Sequence, residues 1–537
     1  MRCLRILLLA TLAVGCSDQE LLVPSIDSTA VPAPTEDLTG PSLGPAVADP
    51  PDVMGRWYGT WELTTGWSSN FSMDISSSPY GLLAVMYVPE LGLFNETLPA
   101  VIEDGPDGRT VSIGVEPIVE IWGLLDGESI SGAFYATVPG GALAPYTGIW
   151  QAQKQTEQTF LPQGAPGPEC DALPPLYCIG DSEYCSELIQ FDPTMGEGYV
   201  DFPVNGETWD DQYRSFIRRD LMMLIGYASA KVACKATDWN YGSSAPLGLV
   251  DMSEADGSIP GTSIGYPAHP SETHEDGKDI DTAYYQLYAA DNKGRPVGVH
   301  FEGVNEAYHL LEPPYGLDRW RTALFVAFLA EHPRLRVVGV DGQIGMRLEE
   351  TFDELSGLGW LALGVRETIP LAYETEDTGR GWFRFHHHHM HVSINPVHSI
   401  VSSFTITPST LNRKSKGKYI TAYIEFDEGV DLTEVNEGSV ALLIDGHTML
   451  PAHPDDIKIS DFDGNGIEDI TVKFDRQEVI ELVENGDIEL SISGSVGPLF
   501  FQESESLRVM KGDEVRSRRD WIRQRNRQPN GRNKPHG

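Results

Sequence analysis

The chain has 537 residues, beyond the roughly 250–300 at which a single hydrophobic core stops growing, so about three or four domains are expected. Hydrophobic residues make up 41% and charged residues 22%, which excludes a collagen-like or wholly disordered chain. With 79 acidic against 38 basic residues the formal charge is −41, which excludes nucleic-acid binding through the general field and favours solubility by repulsion.

The first residues read as an address. Arg2 and Arg5 precede an apolar run over residues 6–15 that is too short to span a membrane but has the form of a signal-peptide core. The run ends in Leu12-Ala13-Val14-Gly15-Cys16, which resembles a bacterial lipobox, with Ala13 where Leu is more usual. The resemblance implies that residues 1–16 are a lipoprotein signal peptide and that Cys16 is lipidated, anchoring an exported chain to the cell envelope, in the periplasm or outer membrane or at the cell surface. Ordinary secretion with a nearby cleavage is the alternative. Residues 17–52 carry Pro24, Pro32, Pro34, Pro41, Pro45, Pro50 and Pro51 among Ser, Thr, Asp and Ala, which predicts an extended, disordered tether. No other stretch approaches the roughly 18 apolar residues of a membrane-spanning helix.

Export changes the meaning of the cysteines. Cys170, Cys178, Cys185 and Cys234 remain after Cys3 and Cys16, an even number that predicts two disulfides with three possible pairings. A structural zinc site is the weaker alternative, because no Cys-x-x-Cys pair occurs.

Residues 53–153 read as an all-β barrel or sandwich. They open on Gly55-Arg56-Trp57, an opening that resembles lipocalin-like barrels, and contain short runs such as Leu82-Leu83-Ala84-Val85-Met86-Tyr87-Val88 broken by Gly, Pro and Asp. Residues 154–198 are a Cys- and Pro-rich connector. In residues 199–400, Phe216, Leu221, Leu224, Ile225, Ala228 and Val232 recur at helical spacing within 211–235, a second helix is expected over 318–333, and residues 335–340 read as a strand, so this part is α+β. Residues 401–510 return to β alternation, as in Tyr419-Ile420-Thr421-Ala422-Tyr423-Ile424-Glu425-Phe426, and have the size of an immunoglobulin-like β-sandwich. Residues 511–537 form a basic, polar tail expected to be disordered.

The chemistry concentrates in two segments. The first is His274-Glu275-Asp276-Gly277-Lys278-Asp279-Ile280-Asp281, and the second is Trp382-Phe383-Arg384-Phe385-His386-His387-His388-His389-Met390-His391. Imidazole and carboxylate donors suit zinc, and a catalytic zinc needs three protein ligands and an open position. Asp279 and Asp281 would share one face of a strand, with His274 reaching back across a turn at Gly277. A second strand would put His387, His389 and His391 on one face. Spacing alone is a weak signal, since a His run makes His-x-His automatic; order and context add to it.

The two segments resemble the LAS metallopeptidases, most closely the penicillin-insensitive murein endopeptidases. Their His-x-x-Gly-x-x-x-Asp pattern is similar to the segment from His274 to Asp281, and their His-x-x-His-x-His pattern to the segment from His386 to His391. The resemblance covers about residues 205–400 and implies that Zn2+ is held by His274, Asp281 and His391, with His389 and His386 as the catalytic histidines. It departs from the D-Ala-D-Ala dipeptidase branch, whose catalytic Glu is replaced here by His388. Arg384, Arg218 and Arg219 are candidate cations for an oxyanion, Asp279 and Asp276 candidate partners of a ligand imidazole, and His269 a candidate outer residue.

A second metal is suggested by Asp461-Phe462-Asp463-Gly464-Asn465-Gly466-Ile467-Glu468-Asp469. Asp461, Asp463, Asn465 and Asp469 resemble the first part of an EF-hand-type Ca2+ loop, although Val472 stands where the bidentate Glu belongs; an ion-free hairpin turn is the alternative. The function expected is that of a lipid-anchored zinc metallopeptidase acting on peptidoglycan cross-links or related short peptides, as an endopeptidase, D,D-carboxypeptidase or amidase. The competing expectation is a surface binding or adhesion lipoprotein with a non-catalytic metal site; without catalysis, the histidines would be a surface metal-scavenging patch or a relic site that binds zinc for stability.

Overall fold

The computed structural model describes residues 53–511, apart from residues 65–67, 79–80, 89–92, 107, 116–118, 137–145, 155–161, 163–169, 171, 204–206, 209–211, 240–241, 288, 290, 299, 301–307 and 312. Residues 1–52, where a signal peptide, a lipidated Cys16 and a tether are expected, and all but the first residue of the basic tail lie outside the described residues.

Among the described residues the chain is mostly β and builds three hydrophobic cores in sequence order. The first lies inside a closed eight-stranded antiparallel barrel, from Gly55–Leu63 to Tyr146–Lys154, so of barrel and sandwich the structure selects the barrel. The first and last strands close it with Trp61 opposite Trp150. Alternation turns Trp57, Trp61, Phe71, Met73, Ile113, Ile130 and Trp150 into the lumen, which is filled by side chains. Tyr58 leaves the barrel to stack on Tyr315 at 3.9 Å, and Asn70 donates to the Pro296 carbonyl.

The central part is a mixed seven-stranded sheet in the order Met195–Gly196, Tyr199–Asp201, Leu247–Leu249, Asp279–Ala283, His389–Ile394, Leu335–Gly339, Leu371–Ala372. It shares one core with the helices Arg219–Lys235, Arg319–Leu329 and Gly342–Gly357. The helix expected over 211–235 begins only at Arg219. Phe216–Arg218 is instead a short strand paired with Leu188–Gln190, because its backbone is used to hold neighbouring loops. The helix expected over 318–333 is Arg319–Leu329, with the Asp318 carboxylate accepting from the Arg321 amide at 3.1 Å.

The connector is more than a connector. Leu176, Tyr177 and Phe191 belong to the central core, and Gln502 of the C-terminal part donates to the carbonyls of Cys178 and Gly180, each at 2.9 Å. Of the three possible disulfide pairings the structure has Cys170–Cys234 and Cys178–Cys185. These disulfides indicate an oxidising, exported environment. Among the described residues no helix is long and apolar enough to cross a membrane.

The C-terminal part packs a four-stranded sheet, Val401–Thr407, Tyr419–Phe426, Asp469–Asp475 and Ile457–Ser460, against a five-stranded one dominated by Gly486–Val496 and Leu499–Met510. Strand Tyr419–Phe426 buries every second residue, as its alternation predicts.

Candidate metal centre

Two central strands carry the site. Asp279–Ala283 pairs antiparallel with His389–Ile394, with Asp281 directly opposite His391 and Ala283 opposite His389. Directly opposed residues share a face, and period-two alternation adds Asp279. One sheet face therefore presents Asp279, Asp281, His389 and His391.

His274 arrives from the preceding loop. Glu272, His274 and Asp276 all have positive φ, at 71°, 54° and 56°, and Gly277 follows at 63°. Such backbone costs about 1–3 kcal/mol per non-glycine residue and persists only where its surroundings hold it. Here the His274 amide donates to Asp279 Oδ2 at 2.9 Å, the Asp276 amide to the Gly257 carbonyl at 2.8 Å, and the Arg218 amide to the Gly277 carbonyl at 3.1 Å. Gly277 is needed at the turn, because a Cβ there would sit 2.7 Å from the Arg218 amide nitrogen.

The result is a triangle. His274 Nε2 lies 3.2 Å from His391 Nδ1 and 3.3 Å from Asp281 Oδ1, and His391 Nδ1 lies 3.2 Å from the same oxygen. A tetrahedral ion bonded at about 2.0–2.1 Å sets its ligand atoms about 3.3–3.4 Å apart, so the three atoms stand where ligands of one small ion would stand. His269, His274 and Asp281 also bring ligand atoms within 4.8 Å of one another, so His269 joins the same cluster. A His–His–Asp group here could hold a metal ion.

Electrostatics fit a cation. Burial opposes charge on Asp281, but the imidazoles of His389 and His274 hold its carboxyl well below the usual range. Burial likewise works against protonated His391, yet its bonds to Asp279 and Asp281 push it up to about 9. A proton on His391 thus supplies the positive charge that the two buried carboxylates demand. Asp279 acts as an orienting partner: Oδ1 faces His391 Nε2 at 3.3 Å and Arg336 Nη2 at 3.2 Å, while Oδ2 holds the His274 amide.

The remaining histidines divide. His389 Nε2 lies 3.2 Å from Asp281 Oδ2, next to the triangle. Burial pushes His389 well below its ordinary pKa and His386 and His388 down to about 4, so all three are neutral near pH 7. His386 sits beside His389 with ring centroids 5.3 Å apart, its Nδ1 on the Arg384 carbonyl at 2.6 Å. His387 does not share the face of His389 and His391. The strand starts only at His389, and the His387 ring stacks instead on His300 at 4.9 Å. Trp382 walls the site at 5.9 Å from His391, over Gly339, where a Cβ would overlap the indole.

The arginines considered for an oxyanion are engaged elsewhere. Arg384 pairs with Asp377 at 2.8 Å, Arg218 is buried against Asp220 at 3.2 Å, and Arg219 pairs with Glu187 and lies over the Tyr184 ring. Asp276 is exposed at the turn, so of the two aspartates considered as partners it is Asp279 that touches a ligand imidazole. Asp251, which holds His269, lies outside both motifs. Only its pairing beside Asp281 brings it in, through the Asp281 amide to the Asp251 carbonyl at 2.8 Å.

In the C-terminal part, Asp461, Asp463 and Asp469 bring carboxylate oxygens within 4.8 Å, a second group that could hold a cation. Their oxygens also accept from the loop backbone, Asp461 from Gly464 at 2.7 Å and Gly466 at 3.0 Å, Asp469 from Phe462 at 2.8 Å. Asn465, in the same loop, accepts from the Ile467 amide with its side-chain oxygen at 2.7 Å.

No protein-family model matches the chain, and no curated protein matches it.

Proposed function

We propose that the chain is a zinc metallopeptidase of the cell envelope, lipid-anchored through Cys16, that hydrolyses peptide bonds in peptidoglycan cross-links or related short peptides. The observation that carries it is the triangle of His274 Nε2, Asp281 Oδ1 and His391 Nδ1 with edges of 3.2–3.3 Å. The donor set of two imidazoles and a carboxylate suits zinc, and the substrate class follows from the motif resemblance.

Zinc, when bound, lowers the pKa of water toward about 7 and polarises a carbonyl. The chain's own residues do the rest. His389, neutral and 3.2 Å from Asp281 Oδ2, takes the proton of the attacking water and returns it to the leaving amine. Asp279 fixes which nitrogen of His391 faces the triangle by accepting from the other. His386, beside His389 at the half-buried edge, is the second histidine in reach of a substrate. Ca2+ in the 461–469 loop would be structural.

A second reading, a binding lipoprotein with a non-catalytic metal, is favoured by burial: His274 is 0% exposed, Asp281 2%, His391 6% and His389 7%. Peptidoglycan digestion separates the two. New peptide termini that disappear in His389→Ala while the metal stays support the peptidase, whereas a metal-loaded chain that releases no termini supports the binding protein.

A further inference from the structure

Asp281 offers its two oxygens to different partners. Oδ1 faces the triangle with His274 and His391. Oδ2 faces His389 Nε2 at 3.2 Å and, on its other side, His269 Nε2 at 3.9 Å. His269 Nε2 in turn lies 3.0 Å from Asp251 Oδ2. The other oxygen of Asp251 is held by Arg214 Nη1 at 3.3 Å, so the carboxylate is fixed with Oδ2 toward His269. The rings of His269 and His274 lie 3.9 Å apart between centroids, tilted by 31°, so the two sets of donors adjoin.

We propose that Asp251 Oδ2, His269 Nε2 and Asp281 Oδ2 form a second divalent transition-metal site, with Asp281 bridging it to the first. The proposal rests on the primary site described above and deepens it from one ion to two. Three arguments support it. Two buried carboxylates face one imidazole; Asp251 is already paired with Arg214 at 3.3 Å, whereas the partners of Asp281 are imidazoles, so the shared charge of the cluster falls on Asp281. The donors, one imidazole and two carboxylates, suit a zinc- or cobalt-like ion. A carboxylate with ligands facing each of its oxygens is the natural bridge of a two-metal site, where ions stand about 3.5–4 Å apart. Arg214 then orients the Asp251 ligand as Asp279 and Arg336 orient His391. His389, whose Nε2 lies 3.2 Å from the same Asp281 oxygen, is not counted as a ligand in this arrangement and keeps its proton-transfer role.

The test counts metal. The full exported chain is stripped with a chelator, reloaded with Co2+ or Zn2+, freed of excess ion by gel filtration and analysed by elemental mass spectrometry. Two ions per chain are expected in the wild type, falling to one in His269→Ala and in Asp251→Asn. With Co2+, the second equivalent is expected to couple magnetically to the first, so that the paramagnetic resonance signal per cobalt falls. One ion in the wild type and in His269→Ala alike would overturn the second site and leave the primary one standing. No ion in any form would overturn both. If circular dichroism shows that the variants do not fold, the wild-type count and the cobalt coupling decide alone.

Discussion

At the scale of single residues, the site depends on a carboxylate that bonds no metal in the arrangement proposed. Asp279 holds the His274 amide with one oxygen and His391 Nε2 with the other, and so fixes both imidazole ligands at once. Asp279→Asn keeps the shape and removes the charge. Outer-shell losses of this kind cost about 10–100-fold in metal affinity. Competition against a chromophoric chelator should show that loss with the fold intact, and an unchanged affinity would mean that Asp279 only satisfies backbone. The same scale shows where sequence reading reaches its limit. His389 and His391 are legible as a pair because strand alternation puts residues two apart on one face. His387 was legible only as a candidate, because nothing local says that the strand begins at His389 rather than two residues earlier.

At the scale of elements, two features hold the central sheet against its helices. Asp220, at the start of helix Arg219–Lys235, is fully buried between Arg218 at 3.2 Å and Arg334 at 2.8 Å. Burial opposes its charge, but the two guanidinium groups win and hold its carboxyl below the ordinary range. A carboxylate with a depressed folded pKa contributes stability that is present above its unfolded pKa, about 3.9, and is lost as pH falls through the folded value. Asp220→Asn should therefore lower unfolding stability by about 3 kcal/mol at pH 7, and the gap to the wild type should narrow below pH of about 4. Denaturant midpoints across pH measure this; a pH-independent gap would show that shape, not charge, matters. The helix Gly342–Gly357 lies outside the expectations drawn from sequence, although Ile344, Leu348, Thr351, Phe352 and Leu355 recur at helical spacing. By contrast, the pairing of Asp281 with His391, and of Asp251 with His269, had no local signal. They join residues far apart in the chain through sheet register and loop placement, which no spacing rule reports.

At the scale of the whole molecule, the three cores among the described residues follow chain order, while the joins between them carry no signal in the sequence. The segment after the barrel contributes Leu176, Tyr177 and Phe191 to the central core and docks on the C-terminal sheet through Gln502 and Ser491. Cys170–Cys234 ties that segment to helix Arg219–Lys235 across a sequence separation of 64, far longer than the 7 closed by Cys178–Cys185. A longer loop removes more entropy from the unfolded chain, so Cys234→Ala should cost about 3–4 kcal/mol and Cys185→Ala less. Calorimetry of the two variants under oxidising conditions checks the order; the reverse order would mean that native packing dominates loop closure.

The central claim is that His274, Asp281 and His391 hold a metal that cuts peptide bonds. It is tested most directly by measuring zinc content and peptidoglycan hydrolysis together, on residues 17–537 and on the same chain with His391→Ala. The account predicts stoichiometric zinc and new peptide termini in the first and loss of both in the second. Zinc without hydrolysis in the unmutated chain would contradict the peptidase and favour the binding protein, and no zinc at all would contradict the metal centre itself.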